Sequence, residues 1–468
     1  MTTHGHMEEI DLSSADAAPS AGFWCALLGS ALALRLLIAY VVLGDMPLVS
    51  DAESYSLEAV ALLDHFPGTQ AYFWPPGMPY LLASVYALLG SELWVSRLVA
   101  CTLGTAQVAL STALAREALG DPRGVRAAGW LAALYPPAVL MSGQTYSQHL
   151  AGVSLTALAV CAIRLWRTSR PAAGGAAGTA WGIGCITRPS MLSAGPALLM
   201  LGALGWLRER RTGEPPSAWG RRLGAAMLGL GLAAAIAVPI VRHNERHGAG
   251  ATLSTNNEAN FFYGNNPYTP HYKTSHFGQR EPSQLDPAVR DYLARFRSAP
   301  DPRAAMKAEA LRYIREHPGI TAWRTANRIR AFWGFDYLMA RHVQLNLELG
   351  TGWLLALTAV EAGGYALVLS LALVTLLCGW GELRRPAALA ALVAAFAYQA
   401  PYALAFSGGT YHFPVMGLLF PFAGLAAARD LRNEQPWVRA RSSRSFWVTL
   451  STFVAIQFEY AYYTFAWM

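Results

Sequence analysis

Charged residues are scarce in this 468-residue sequence: Asp, Glu, Lys and Arg make up 14% of it, against about a quarter in an ordinary soluble chain. Long stretches, such as residues 223–241, contain none at all. An apolar run of about 20 residues matches the hydrocarbon core of a bilayer when it forms a helix, because lipid offers the backbone no other hydrogen-bond partners. The shortage of charge therefore excludes an ordinary soluble fold and predicts an all-α polytopic membrane protein.

Lysine and cysteine are scarce as well. Lys273 and Lys307 are the only lysines, and the arginines lie in short clusters between apolar runs, as they do in the cytoplasmic loops of membrane proteins. The net charge of +7 therefore predicts no nucleic-acid partner. The five cysteines lie in apolar stretches and lack the spacing of a disulfide framework or a zinc site.

The apolar segment at residues 75–90 decides the predicted topology, because it is short and opens with prolines. If it does not span, every arginine cluster falls on one side of the membrane, and the outer loops 44–93, 142–149 and 407–410 contain no Lys or Arg. We therefore predict a juxtamembrane helix there and about eleven transmembrane helices, with the N-terminus in the cytoplasm. The expected location is the inner membrane of a bacterial cell. The other apolar segments lie at 23–43, 94–115, 125–142, 150–167, 174–188, 190–207, 223–241, 353–378, 387–406, 411–428 and 446–466.

The distribution of apolar segments and charged residues divides the chain into four predicted regions. They are a disordered cytoplasmic tail (1–22) that lacks the basic start of a secretory signal, an N-terminal transmembrane module (23–241) with the outer loop 44–93, an extracytoplasmic insert (242–352), and C-terminal transmembrane helices (353–468). Within the insert, Asp301-Pro302 predicts the cap and first residue of a helix that ends near His317-Pro318-Gly319. The mixed aromatic and basic residues of 320–342 predict a further helix in the membrane interface.

The acidic first outer loop supplies one candidate for chemistry. Asp51 and Glu53 follow the first span closely, so their carboxylates are expected near the outer membrane surface, where one of them could deprotonate a hydroxyl group or bind a cation. The simpler interpretation is that acidic residues merely populate an outer loop.

Arg188 is a second candidate, because it ends an apolar segment on the outer side, against the charge trend. A cation at that depth usually has a partner or a function, and guanidinium binds phosphate at two points. A salt bridge to Asp51 or Glu53 explains it equally well.

Polar and aromatic residues elsewhere on the outer side are weaker candidates. Trp74 lies in a proline-rich stretch typical of a chain re-entering the bilayer, and a lone histidine such as His412 is more often a structural hydrogen-bonding residue than a catalyst. Gln148 and His149 occupy a short polar loop after the third span.

Several motifs follow one another in a characteristic order. They are Asp51-x-x-x-Tyr55, Trp74-Pro75-Pro76-Gly77-x-Pro79, a span that begins near Arg97, Tyr135-Pro136-Pro137, Gly182-x-Gly184-x-x-Thr187-Arg188-Pro189, Asn244-Glu245-x-x-Gly248, Gly264-Asn265-x-Pro267 and Arg315-Glu316-His317-Pro318-Gly319. Over residues 23–428 this order resembles the membrane-embedded C-type glycosyltransferases, in particular the protein O-mannosyltransferases, the aminoarabinose transferases and their bacterial relatives.

The resemblance implies inverting transfer of a hexosyl or pentosyl group from a polyprenyl-phosphate donor to a hydroxyl group of an acceptor protein, lipid or glycan, at the extracytoplasmic membrane face. It implies that a catalytic acidic residue of the first outer loop acts as a base or orients the acceptor, and Asp51 occupies that place with Glu53 as its neighbour. The same chemistry suits Arg188 and His412 as ligands of the donor phosphate. The expected substrate-lining residues are Tyr55, Trp74, Gln148, His149 and Asn265.

One departure concerns metal binding. Relatives often carry a second acid in the loop after the third span, but this chain has Gln148-His149 there and no Asp or Glu from Pro122 to Arg208. That argues against a two-carboxylate site for a divalent metal, so we assign no metal ligand and no cofactor.

Two other functions compete with glycosyl transfer. A transporter or flippase of lipid-linked or small polar substrates would place ionisable groups near the bilayer midplane and often show repeated halves. A polysaccharide polymerase or ligase would rely on outer-loop Arg and His pairs more than on an early Asp. The acids of this chain cluster outside, on the same side as the long insert, which favours the transferase.

Overall fold

The computed structural model describes residues 19–119, 121–212, 216–271, 285–378, 385–430 and 443–465. Within these ranges every regular element is a helix, which confirms the predicted all-α class. The predicted tail, residues 1–22, lies outside them except for its last residues, where Ser20 caps the helix that begins at Ala21. Much of the Arg429–Arg444 cluster also lies outside the described residues.

The N-terminal part contains ten α-helices within the described residues. They are α1 (Ala21–Leu36, continued as a π-helix over Leu37–Val42), α2 (Asp51–Asp64), α3 (Gly77–Leu89), α4 (Leu93–Leu119), α5 (Pro122–Leu134), α6 (Pro136–Met141), α7 (Ser147–Thr168), α8 (Pro171–Thr187), α9 (Ala194–Thr212) and α10 (Pro216–Arg246). A 3-10 turn, Pro189–Ser193, joins α8 to α9.

The insert and the C-terminal part follow in the same order. Their helices are α11 (Asn257–Gly264), α12 (Pro287–Arg297), α13 (Pro302–Glu316), α14 (Pro318–Phe332), α15 (Leu338–Asn346), α16 (Thr351–Cys378), α17 (Pro386–Leu404), α18 (Phe413–Asp430) and α19 (Arg444–Phe465). A second 3-10 turn, Gly409–His412, precedes α18.

Eight helical segments of the described chain are long and apolar enough to cross a membrane, which confirms a multi-pass protein. They correspond to α1, α4, α7, α9, α10, α16, α17 and α18. The remaining predicted spans coincide with α5 and α6 together, with α8 and with α19. The count of eleven stays a prediction. By contrast, α3 has 13 residues and is about 20 Å long, too short for a hydrocarbon core of about 30 Å, as expected for a juxtamembrane helix.

Small residues bring α8 and α10 into backbone contact. Gly174 and Gly178 of α8 pack against Ala225 and Gly229 of α10, and a Cβ atom on either α8 glycine would overlap the carbonyl oxygen opposite. Both sets repeat every four residues, which is the small-residue spacing of closely packed membrane helices. Because the residue numbers rise together, the two helices run parallel, and Arg188 follows the end of α8 remote from Arg222 at the start of α10.

Proline breaks in the helices are stabilised by buried side chains. Pro136 has no N–H group to donate to Ala132, and Pro137 has none for Ala133. Arg35 supplies the missing donors, with Nη1 3.1 Å from the Ala133 oxygen and Nη2 3.4 Å from the Ala132 oxygen. This buried arginine therefore has a structural role.

The first outer loop is tied to the end of α10. The backbone N–H of Tyr72 donates to Asn244 Oδ1 (2.8 Å), and Asn244 Nδ2 donates to the Thr252 oxygen (2.8 Å). The N–H of Thr255 then donates to the Tyr72 oxygen at 2.9 Å. Asn244 of the Asn-Glu-x-x-Gly motif thus joins the outer loop to the beginning of the insert.

The insert confirms one predicted helix and corrects another. α13 begins as expected, since the Asp301 carboxylate accepts the N–H of Ala304 at 3.0 Å and Pro302 is its first residue. The single helix predicted at 320–342 is wrong, because the chain breaks between α14 and α15. Gln457 of the last helix bonds the backbone of residues 333 and 335, and the Asp336 carboxylate accepts the N–H of Leu338 to start α15.

The contact between α8 and α10 gives a stability prediction. Gly178→Leu is expected to lower the unfolding temperature of the detergent-solubilised protein, because the side chain must force two backbones apart at a cost of about 1–3 kcal/mol or more. Gly231→Leu is the control, since nothing lies within 4 Å of that Cβ position on α10. Equal melting temperatures for the two variants in a thermal-stability assay would refute the close contact.

Candidate active site

Asp51 is the first residue of α2. Ser50 precedes it with a positive φ of 57°, at the point where the chain turns into α2. The carboxylate lies in the first helical turn, where the helix dipole favours negative charge. The side chain is half-buried, and within the described residues it makes no hydrogen bond and no salt bridge. Burial raises the pKa of the Asp51 carboxyl above its ordinary value, and the nearby charge of Arg188 partly offsets that rise.

Arg188 lies at the C-terminal end of α8, where Pro189 favours an extended conformation of the preceding residue. Its Nε donates to Ser147 Oγ at 3.2 Å, and its Nη1 donates to the hydroxyl oxygen of Tyr402 at 3.1 Å. Nη2 has no hydrogen-bond partner in the part of the chain that the structure describes. The guanidinium group is therefore fixed in place while one of its nitrogen atoms stays available to a ligand.

Aromatic rings form a wall beside this cation. The Arg188 Cζ atom lies 5.5 Å from the ring centre of Tyr411, which stacks on Tyr402 at 4.8 Å. The Tyr402 hydroxyl also receives a hydrogen bond from Ser190 Oγ (3.1 Å) and pairs with the Tyr398 hydroxyl (3.1 Å). Arg188 is thus held by neutral hydroxyl groups and π-faces, not by a contacting carboxylate.

A proline break positions this wall. Pro401 has no N–H group for the carbonyl of Ala397, and Ser193 Oγ donates to that oxygen at 2.6 Å. Ser193 ends the 3-10 turn that follows Arg188. The bond therefore anchors the turn on α17, next to Tyr402.

Tyr55 connects Asp51 with the arginine. It lies one helical turn after Asp51 on the same face of α2, and its hydroxyl pairs with Ser147 Oγ at 3.2 Å. Because the same Ser147 oxygen receives the Nε–H of Arg188, Tyr55 and the cation meet at one serine, with Asp51 one helical turn before Tyr55. The ring of Trp74 meets Tyr55 edge-on at 6.0 Å.

The two proline-containing motifs also meet here. Gly77 packs against Thr187, and a Cβ atom at Gly77 would overlap the threonine hydroxyl. This contact brings the stretch that contains Trp74 against the end of α8. Position 77 therefore requires glycine because there is no room for a side chain.

The structure brings some predicted site residues together and leaves others apart. Tyr55 and Arg188 meet at Ser147, the ring of Trp74 lies against Tyr55, and Asp51 precedes Tyr55 by one helical turn. Gln148 is buried directly after Ser147, and its Oε1 has no hydrogen-bond partner among the described residues. Glu53 is exposed on another face of α2.

Three other predicted residues make hydrogen bonds to the backbone elsewhere. His149 Nε2 pairs with the Met141 oxygen at 3.0 Å, and His412 Nδ1 pairs with the Phe332 oxygen at 3.0 Å. Asn265 donates to the Leu404 oxygen at 3.0 Å. These bonds fix the three side chains as parts of the scaffold, and their proposed ligand roles stay predictions.

Sequence reasoning missed Ser147, Tyr398 and Tyr402 as site residues. Ser147 adjoins the predicted Gln148-His149 pair, which is the one local signal. Tyr402 lies 214 residues from Arg188, so nothing in the local sequence connects them. Within the described ranges, no group of three or more His, Cys, Asp or Glu side chains is arranged to hold a metal ion.

Comparisons with known proteins bear on the class to which the fold belongs. Residues 74–238, which include Trp74 and Arg188, match the family model of dolichyl-phosphate-mannose-protein mannosyltransferases. The chain is also similar to the oligosaccharyltransferase of Archaeoglobus fulgidus in its apo form, with a TM-score of 0.52 and 13% identity over 95% of this chain and 55% of that one. A search of curated proteins gave no match.

Two further structures are more distant. AglB of Archaeoglobus fulgidus, in complex with an inhibitory peptide and a dolichol-phosphate, has a TM-score of 0.49 and 13% identity over 93% of this chain and 54% of that one. ArnT of Cupriavidus metallidurans, bound to undecaprenyl phosphate, has a TM-score of 0.44 and 16% identity over 91% and 81%. The chain spans about half the length of the archaeal proteins.

The fold and the family match define a class. The chain is similar to the membrane-embedded glycosyltransferases that use lipid-phosphate-linked sugars, and the resemblance predicted from its motifs is confirmed. Within that class, its residues 74–238 resemble the dolichyl-phosphate-mannose-protein mannosyltransferases. Asp51 lies outside the matched segment.

The bond between Tyr402 and Arg188 can be tested by stability. Tyr402→Phe removes a hydrogen bond to a charged group, which is worth about 1.5–3 kcal/mol, and we expect a lower unfolding midpoint in detergent. Tyr462→Phe, at a side chain that is 67% exposed on α19, is the control and should leave the midpoint unchanged. A Tyr402→Phe midpoint equal to that of the control would contradict the bond.

Proposed function

We propose that this protein is a glycosyltransferase that moves a sugar from a polyprenyl-phosphate donor to the hydroxyl group of a protein, lipid or glycan acceptor. The observation that carries the proposal is the unpaired Asp51 carboxylate beside a fixed Arg188 guanidinium. A base for the acceptor and a cation for the leaving phosphate are the two groups that this reaction needs.

The proposed reaction is one direct displacement. The acceptor hydroxyl gives its proton to the Asp51 carboxylate, and the acceptor oxygen forms a bond to C1 of the sugar. The bond between C1 and the phosphate oxygen breaks, and its electron pair remains on the polyprenyl phosphate. Attack opposite the leaving group inverts the configuration at C1, whether the sugar is a hexose or a pentose.

Arg188 is proposed to bind the donor phosphate. Its free Nη2 donor and its charge would stabilise the negative charge that develops on the leaving phosphate. Ser147 and Tyr402 hold the guanidinium before the donor arrives, so little reorganisation is needed. Tyr55 and Trp74 offer aromatic surface next to Asp51, which suits the substrate-lining role assigned to them.

The proposed site faces the extracytoplasmic side of a bacterial inner membrane. One support is that Arg188 follows the C-terminal end of α8, whereas Arg222 lies near the start of the parallel helix α10. The other is that the outer loop 44–93 lacks Lys and Arg.

A transporter would be expected to use ionisable groups within its spans. Glu361 is an ionisable residue within the span α16, and its Oε2 accepts the backbone N–H of Ala340 at 3.0 Å. Glu361 therefore has a structural partner in α15. This favours the transferase over the flippase or transporter.

The role of Asp51 is tested by Asp51→Asn. We expect turnover to fall by a factor of about 100 or more, the usual contribution of a general base, when purified protein is incubated with labelled polyprenyl-phosphate sugars and release of polyprenyl phosphate is followed. Asp64→Asn, at the exposed end of the same helix, should retain activity. Full activity in folded Asp51→Asn protein would refute the proposed base.

The pH dependence of kcat/KM tests the coupling of the two residues. A carboxylate base works only when ionised, so activity is present above the pKa of Asp51 and is lost as the pH falls through it. Arg188 opposes the burial-driven rise of that pKa, so Arg188→Gln should move the acid limb of the profile to higher pH and raise the KM for the donor. An acid limb that stays in place or moves to lower pH would contradict the coupling.

A further inference from the structure

A cavity lies apart from the Asp51–Arg188 site. Its volume is about 420 Å³, and it lies between α7, α8, α9 and α10. Its walls come from the halves of α7, α8 and α10 that lie away from Arg188, and they are apolar except for Arg222. Leu199 and Leu223 stand exposed on its rim, at 42% and 64%. We call this cavity the inner groove.

The inner groove exists because α9 packs mainly on α17 and on the 3-10 turn before it. The first turn of α9 meets α8 at Gly195, which lies against Trp181. Along α9 its wall runs from Gly195 to Trp206, about 16 Å at the usual helical rise. That length is about half of a hydrocarbon core of about 30 Å. The groove therefore has the depth of one lipid leaflet.

The end of the inner groove towards Arg188 is closed. The indole ring of Trp181 lies against Gly195, where a Cβ atom would overlap it, and Trp181 Nε1 donates to the Met191 oxygen at 2.8 Å. A lipid chain attached to a phosphate at Arg188 would meet this ring before it reached the groove. The groove is thus separated from the proposed donor site and lies between the helix halves remote from Arg188.

The other end of the inner groove presents a cation and a buried donor. The Arg222 Cζ atom lies 4.8 Å from the ring centres of both Trp166 and Trp219. The Nε1–H group of Trp219 is buried and has no acceptor among the described residues. Leaving a buried N–H unpaired is costly, and an anionic oxygen placed here would accept from it beside the guanidinium charge.

We propose that the inner groove binds a phospholipid with an anionic headgroup, taken from the leaflet remote from Arg188. One acyl chain fills the apolar walls, and the phosphate lies against Arg222 and the Trp219 N–H. The arginine-rich side of the membrane is the cytoplasmic one by the positive-inside trend, and anionic lipids of that leaflet are attracted to basic segments.

Native mass spectrometry of the detergent-purified full chain, incubated with equal amounts of phosphatidylglycerol and phosphatidylcholine, tests the proposal. We expect the protein to retain one molecule of phosphatidylglycerol in preference to phosphatidylcholine. Trp219→Phe keeps an aromatic ring and removes the N–H group, so it should weaken retention about tenfold, the size expected for one hydrogen bond to a charged group. Ala226→Phe, which fills the groove, should abolish retention.

Neighbouring residues that do not line the groove provide matched controls. Met227→Phe adds the same ring to an exposed position on α10, and Arg221→Gln removes an adjacent exposed charge. Both should retain the lipid as the wild type does. Equal retention of the two phospholipids, or an equal loss in the Met227→Phe and Ala226→Phe variants, would overturn the proposal. Competition by a polyprenyl phosphate would overturn the proposal as well. In that case polyprenyl phosphate would displace phosphatidylglycerol from the wild type, and the Ala226→Phe variant would fail to retain polyprenyl phosphate.

Discussion

The guanidinium group of Arg188 is held by the hydroxyl groups of Ser147 and Tyr402 and by the face of Tyr411, with no carboxylate in contact. A carboxylate in direct contact with a buried cation has a lower pKa and is a weaker base, and the cation is less available to another anion. Here the charge is positioned but not neutralised, and Asp51 remains near enough to interact electrostatically. This separation allows one residue to receive an anion and the other to receive a proton.

The rest of the fold serves to keep these two groups in place. The close contact of α8 with α10 fixes the helix that ends in Arg188, and Gly77 brings the proline-rich loop against Thr187. Prolines that break α5 and α17 release carbonyl oxygens in the membrane interior, and Arg35 and Ser193 satisfy them. Such breaks are tolerated in a membrane only where other groups restore the lost hydrogen bonds.

The sequence predicted what depends on composition and on local spacing. Scarce charge indicated the spans, and Asp301-Pro302 indicated the start of α13. Arg188 was noticed because it lies on the outer side, where the predicted loops lack basic residues. The sequence could not predict contacts between distant segments. Tyr402 meets Arg188 across 214 residues, and the break after Phe332 depends on Gln457 of the last helix. Asn265 stands in a stretch that suggested a ligand, but its amide bonds the end of α17.

The position of a bound donor phosphate would test the central claim most directly. A cryo-electron microscopy structure of the full chain with polyprenyl phosphate would provide it. The account predicts a phosphate oxygen within hydrogen-bond distance of Arg188 Nη2, on the side that faces Asp51. A phosphate bound elsewhere, with Arg188 paired to the Asp51 carboxylate, would contradict the account.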